Sequence, residues 1–221
     1  MSDAPTTYVF DAYGTLFDVH SAVRRHMDEV GEGGARLSEI WRTKQLEYTW
    51  VRALTGRYRD FRLLTEDALD FAFASVPTAN RAARAALLDA YDRLDCYAEV
   101  PAALRALKDA GRRTAILSNG TPGMIEAAVA HAGIGDLLDD CFSVDALATF
   151  KTEPRIYAMV TDAYGVAPGE VAFHSSNRWD VAGATAFGFR CTWVNRTGAP
   201  DEYVELAPER IVASLEVPTG D

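Results

Sequence analysis

A short apolar run that ends on a carboxylate constrains this chain more than any other stretch. Thr6, Thr7, Tyr8, Val9 and Phe10 are β-branched or aromatic and read as a buried strand. Asp11 stands at its end, Gly14 lets the backbone turn sharply, Thr15 offers a hydroxyl, and Leu16 and Phe17 return the chain to apolar surroundings. A carboxylate at the carboxyl end of a buried strand holds its charge near low dielectric, where a nucleophile or a metal ligand belongs. An Asp before a Gly turn is also an ordinary satisfied turn residue. The stretch gains meaning only if other segments converge on it.

They do so by alternation. After Asp18 about 75 residues carry helical periodicity, with helices predicted over His20–Val30, Leu37–Leu54, Leu64–Ala74 and Ala79–Leu94. In the second, Leu37, Trp41, Tyr48 and Val51 form the expected core stripe, and Arg42 and Leu46 fall on the opposite face. From Val100 onward helices alternate with strands Arg113–Ser118, Cys141–Val144, Val171–His174 and Arg190–Val194. That order predicts an α/β fold: a Rossmann-like parallel sheet core with an inserted all-helical cap, the core being residues 1–18 and 96–221 and the cap 19–95. Asp11, Ser118 with Asn119, Lys151, and the run Ser175 to Asp180 each lie just past a strand end. In an open α/β sheet those ends meet at one crevice. Residues after Gly198 supply structure and no nameable chemistry.

Composition limits the partners. A formal charge of −10 over 221 residues disfavours nucleic acid and acidic membrane faces, whose binding needs clustered cations. No stretch approaches the apolar length of a membrane span, and the start carries no basic leader, so a cytoplasmic protein is expected. Cys96, Cys141 and Cys191 lack any metal-ligand spacing and read as buried thiols.

The segments DAYGTLFD, WRTKQLEYTW with GRYRDF, LSNG, Lys151 with Tyr157, and SSNRWDVAGA resemble the haloacid dehalogenase superfamily, and within it the L-2-haloacid dehalogenases, from Tyr8 to Gly198. The phosphatases of that superfamily carry a second Asp two residues after the nucleophile and hold magnesium with a GD motif; here Tyr13 and Ser175, Ser176 and Asn177 stand at those positions. A phosphoryl group repels an attacking carboxylate unless a cation screens it, whereas a carbon bearing halogen presents no such charge. The resemblance therefore implies hydrolysis of a small 2-haloalkanoic acid to the inverted hydroxyacid and halide. It implies no cofactor and no metal, in a homodimer. A magnesium-dependent phosphatase of small metabolites is the alternative.

The same resemblance implies roles. Asp11 attacks carbon; Lys151, Thr15, Ser175 and Asn177 orient it; Asp180 fixes Lys151 or activates water; Tyr157 supports Arg42 or Asp11. Ser118, Asn119 and the amides near Ala12 and Tyr13 take the substrate carboxylate, Arg42 receives the halide, and Tyr13, Leu46, Phe61 and Trp179 line the apolar part. Two departures stand out: Lys151 is followed by Thr152 and Glu153 before Pro154, and His174 occupies a strand position where an aliphatic residue is expected. Packing beneath the loop and a second base are both open readings of His174.

Overall fold

The computed structural model describes residues 5–215. Six parallel strands form one sheet: β1 (Thr7–Phe10), β2 (Arg113–Ser118), β3 (Asp140–Ser143), β4 (Val171–Ser175), β5 (Arg190–Val194) and β6 (Arg210–Val212), in the order β3-β2-β1-β4-β5-β6. Central β1 is buried at every position, as a strand covered on both faces must be, while β3 is half exposed at its edge. β6 lies beyond Gly198, in a region whose three-residue strand has too little periodicity to be read from sequence.

Between β1 and residue 95 the chain forms five α-helices: α1 (Ser21–Arg25), α2 (Met27–Val30), α3 (Gly34–Thr55), α4 (Phe61–Ser75) and α5 (Arg84–Tyr91). Entry and exit of this insert run side by side. Asp18 N–H donates to Asp95 O at 2.8 Å and Tyr97 N–H to Leu16 O at 3.0 Å. The single helix expected over His20–Val30 breaks at His26, whose φ of −114° and ψ of 22° leave the helical region. α4 begins three residues earlier than expected because Asp60 caps it, accepting from Leu63 N–H at 2.9 Å. Phe61 thereby enters its first turn.

The buried face of α3 differs from the expected stripe. Leu37 and Trp41 are buried, but Val51 is 51% exposed, and the inward side instead carries Ser38, Gln45 and Thr49. Each of these polar groups is satisfied. Gln45 Nε2 donates to Thr65 Oγ1 at 2.9 Å and Gln45 Oε1 accepts from Tyr91 OH at 3.3 Å; Ser38 Oγ meets His20 Nδ1 at 2.7 Å, and Thr49 Oγ1 donates to Leu46 O at 2.7 Å. A stripe drawn from apolar residues alone omits them and so points the helix too far round. The actual rotation places Arg42 at the edge of the buried face.

The remaining helices are α6 (Val100–Asp109), α7 (Pro122–Ala132), α8 (Pro154–Tyr164) and α9 (Arg178–Phe187). Thr121 caps α7 ahead of Pro122, which suits a first helical position because its missing N–H would have no partner there. Strand order reverses between β1 and β4, so the crevice beyond their carboxyl ends is the natural place for a site. Of the three cysteines, Cys191 is buried, Cys96 partly buried and Cys141, expected to be buried, is exposed because β3 lies at the sheet edge.

Candidate active site

Asp11 is the first residue past β1 and is 5% exposed. Its N–H donates to His174 O at 3.0 Å, extending the ladder with β4 by one bond. Gly14, at a φ of +96° that an L side chain rarely adopts, then turns the loop so that Thr15 comes back beneath the carboxylate. Asp11 Oδ2 accepts from Thr15 Oγ1 at 2.9 Å and from Asn177 Nδ2 at 2.8 Å, and Asp11 Oδ1 accepts from Lys151 Nζ at 3.1 Å. Three sequence-distant loops thus meet on one side chain.

Lys151 is buried together with a second carboxylate. Its Nζ lies 2.7 Å from Asp180 Oδ2, and Tyr157 OH donates to Asp180 Oδ1 at 2.8 Å. Burial alone would push the ammonium down, but Asp11 and Asp180 beside it reverse the sign and hold Lys151 above its ordinary value. Asp180 is pushed up to about 6 by burial, against the pull of Lys151. The backbone N–H of Lys151 donates to Asn119 Oδ1 at 3.0 Å, tying the loop after β3 to the loop after β2. The ammonium also sits 5.2 Å over the ring of Phe173.

The insert contributes the opposite wall. Arg42 Nη2 donates to Tyr13 O at 3.0 Å and to Asn177 Oδ1 at 3.1 Å. The buried Tyr13 ring packs 5.7 Å from Phe61 and 5.6 Å from Tyr91. Its place depends on Gly120, where a Cβ would fall 2.8 Å from Tyr13 Cε2. Arg42, Leu46 and Trp179 line an adjoining cavity of about 390 Å³, and Trp179 meets Trp50 edge-on at 5.8 Å.

Several expected contacts are different. Ser175 does not touch Asp11: its Oγ accepts from Asn177 N–H at 3.1 Å and so holds the residue that does. Tyr157 reaches Asp180, not Arg42 or Asp11, because α8 and α9 pack side by side. Ser118 Oγ accepts from Gly120 N–H at 3.1 Å, and Ala12 O receives the N–H groups of Leu16 and Phe17 at 2.9 and 3.0 Å. His174 is buried with its ring 5.1 Å from Phe10, packed under the loop, and burial pushes it down to about 4. Sequence reading missed Tyr91, which backs Tyr13, and Phe173, which underlies Lys151. Tyr91 sits between Asp89 and Asp92, and Phe173 in the apolar run of β4, and neither position carries a signal that points to the site.

Magnesium needs several oxygen ligands around it. Here Lys151 bridges the two carboxylates, and among the described residues no three of His, Cys, Asp and Glu gather as a metal site. This donor set fits an ammonium and does not fit a magnesium ion.

A parallel sheet with a buried carboxylate and lysine at its switch point is the framework of an α/β enzyme. The chain belongs to the haloacid dehalogenase-like hydrolases, whose family profile matches residues 5–188. It is 47% identical to (S)-2-haloacid dehalogenase 1 of Pseudomonas sp. (strain CBS-3) over 203 residues, covering 91% of this chain and 89% of the relative. It is likewise 47% identical to (S)-2-haloacid dehalogenase 4A of Burkholderia cepacia, covering 94% and 90%. The structure of L-2-haloacid dehalogenase from Xanthobacter autotrophicus with chloropropionic acid covalently bound superposes with a TM-score of 0.85 at 38% identity, covering 95% of each chain. Among the described residues no helix is long and apolar enough to cross a membrane.

Proposed function

We propose that this chain is an (S)-2-haloacid dehalogenase, converting a 2-haloalkanoic acid and water into the inverted (R)-2-hydroxyacid, halide and a proton. The observation that carries the reading is the fixed carboxylate of Asp11 with the buried ammonium of Lys151 beside it. A free carboxylate is a weak nucleophile in water, so the site must dehydrate it and hold it in line at about 3 to 3.5 Å from carbon. Thr15, Asn177 and Lys151 supply that orientation. Oδ1, with one hydrogen bond against two on Oδ2, is the freer attacking atom.

Attack forms an ester between Asp11 and the substrate carbon and expels halide, which Arg42 receives. Water then adds to the acyl carbon of that ester, Asp180 takes its proton, and the carbon–oxygen bond made in the first step stays with the product. One inversion results. Ser118, Asn119 and the amides of the Ala12–Tyr13 turn hold the substrate carboxylate, while Tyr13, Leu46, Phe61 and Trp179 surround its alkyl part. Residues 19–95 act as a cap that closes Arg42 over the sheet, and the enzyme works as a cytoplasmic homodimer without a cofactor.

The test is a single turnover of excess enzyme in heavy-oxygen water. Label should enter Asp11 and be absent from the first hydroxyacid released. Label appearing directly in product would mean that water itself attacks the carbon, and would remove Asp11 as nucleophile.

A further inference from the structure

Thr15 is held from two sides, and only one of them belongs to the site described above. Its Oγ1 donates to Asp11 Oδ2 at 2.9 Å and accepts from Ser176 N–H at 2.8 Å, so the hydroxyl bridges the loops after β1 and β4. Its carbonyl, in a residue with 0% exposure, accepts from Arg196 Nη2 at 3.0 Å. A buried carbonyl needs a donor. The turn supplies none of its own: the N–H groups of Thr15, Leu16 and Phe17 all go to Ala12 O, at 3.3, 2.9 and 3.0 Å, and Gly14 N–H goes to Phe17 O at 2.7 Å. Arg196 provides the donor that the turn lacks.

Arg196 is itself fixed. It stands just past β5, its Nη1 pairs with Glu99, and its guanidinium lies 3.8 Å over the ring of Tyr97. Glu99 Oε1 also accepts from Leu215 N–H at 3.4 Å, and Tyr97 N–H donates to Leu16 O at 3.0 Å. The residue stacked against Arg196 thus hangs on the same turn. One prong of the guanidinium goes to a carboxylate and the other to a carbonyl, and a planar fork fixes the angle between them as an ammonium cannot. Among the described residues the side chain bonds Glu99 and Thr15 and reaches neither Asp11, Lys151 nor Asp180.

We propose that Arg196 is a positioning residue for the first chemical step: by holding the Thr15 carbonyl it aims the Thr15 hydroxyl at Asp11 Oδ2 and leaves Oδ1 turned toward substrate. The inference rests on the reading of Asp11 as the nucleophile. Carbonyl and Cβ of Thr15 share one Cα, and the β-branched side chain is stiff about χ1, so a tilt of the peptide carries Oγ1 with it. In-line attack tolerates little of this, since a displacement of about 1 Å can cost about 10²-fold in rate. Arg196 acts on the aim of the carboxylate and touches no part of the substrate. Its effect therefore falls on the rate of ester formation and not on substrate affinity.

The test is single-turnover release of bromide from 2-bromopropionate by excess enzyme, followed by rapid quench at several enzyme concentrations. Arg196→Lys keeps a cation for Glu99 and loses the second prong; it should slow this step about tenfold and leave the half-saturating concentration within about twofold. Glu99→Gln keeps an acceptor for Nη1 and removes the charge, so it should lower Tm and leave the step near the wild-type rate. Thr15→Val should slow the step about thirtyfold, and Arg196→Lys added to it should slow it no further, because the hydroxyl through which Arg196 acts is gone. If Arg196→Lys does not fold by circular dichroism, Tyr97→Leu takes its place. That variant loses the ring beneath the guanidinium and should slow the step about threefold alone and not at all in Thr15→Val. Equal slowing with and without the Thr15 hydroxyl, or slowing by Glu99→Gln as large as by Arg196→Lys, would overturn the positioning role and leave Asp11 as nucleophile. A wild type that releases no bromide would overturn the dehalogenase reading and this inference together.

Discussion

The two cations of the site live in opposite circumstances. Lys151 is 1% exposed and sits between two carboxylates whose remaining oxygens are taken up by Thr15, Asn177 and Tyr157. Arg42 is half-buried, reaches only a carbonyl and an amide oxygen, and borders a cavity. The core side is a closed polar network in which every removal uncovers a charge. The insert side is open, and its charge is available to a ligand. One region is built for holding still, the other for receiving.

The largest effect expected concerns the group both cations serve. Asp11→Asn should lower halide release from 2-chloropropionate by at least about 10⁴-fold, as loss of a nucleophile does. Full activity in that variant would end the assignment. Next comes the core cation. Lys151→Met should abolish turnover and also cost about 3 to 5 kcal/mol of stability in chemical unfolding, because two buried carboxylates lose their shared counter-ion. Lys151→Met with Asp180→Asn should regain part of that stability and none of the activity. If the single variant unfolds like the wild type, the network is not the closed one described.

Arg42 is the contrast. Arg42→Ala should lower kcat/KM by about 10² to 10³-fold through loss of charge stabilisation on the leaving halide. Its stability should stay within about 1 kcal/mol of the wild type, because only two neutral acceptors lose a donor. Equal destabilisation by the Arg42 and Lys151 variants would erase the distinction between the two walls.

How far the sequence displays this contrast follows from its physics. Strands β1, β2, β4 and β5 carry β-branched and aromatic runs, and polar residues stand at their ends, so the core wall was legible: Asp11, Lys151, Asn177 and Asp180 were expected to meet and do. The insert wall was less so. The buried face of α3 carries Ser38, Gln45 and Thr49, and the partners that make two of them acceptable there, Thr65, Tyr91 and His20, lie on other segments. Periodicity sees hydrophobicity and is blind to a partner 46 residues away. The same blindness hid the Arg178–Asp201 pair, which links α9 to the segment after β5.

pH separates the walls more finely. Asp180, pushed up to about 6 by burial, must be ionised to take a proton from water, so kcat should fall as pH drops through about 6. Its effect on folding has the opposite sign. A carboxyl whose folded value lies above its unfolded one favours the folded state below the unfolded value near 3.9, and that contribution is lost as pH rises through about 6. Activity and this part of stability should therefore move in opposite directions between about pH 4 and 6. Tyr157→Phe, which removes a hydrogen bond to the ionised form, should shift the acid limb of kcat upward.

His174 provides the smallest and most discriminating test, because it lies beneath the core wall without entering the chemistry. Its ring is packed on Phe10 and Tyr8, its nitrogens find no partner among the described residues, and burial pushes it down to about 4. The unfolded chain binds a proton to this ring near pH 6.5 and the folded chain only near 4, so stability should fall as pH drops through that window. Asp180 acts against this fall. His174→Leu removes the histidine's contribution and keeps an apolar filler, so the loss in Tm between pH 7.5 and 5 should shrink, by an amount worth roughly 1 to 3 kcal/mol. Its kcat at pH 7.5 should stay near that of the wild type. A large drop in kcat there, with Tm unchanged at both pH values, would make His174 a working base and move the boundary of the core wall one layer deeper into the sheet.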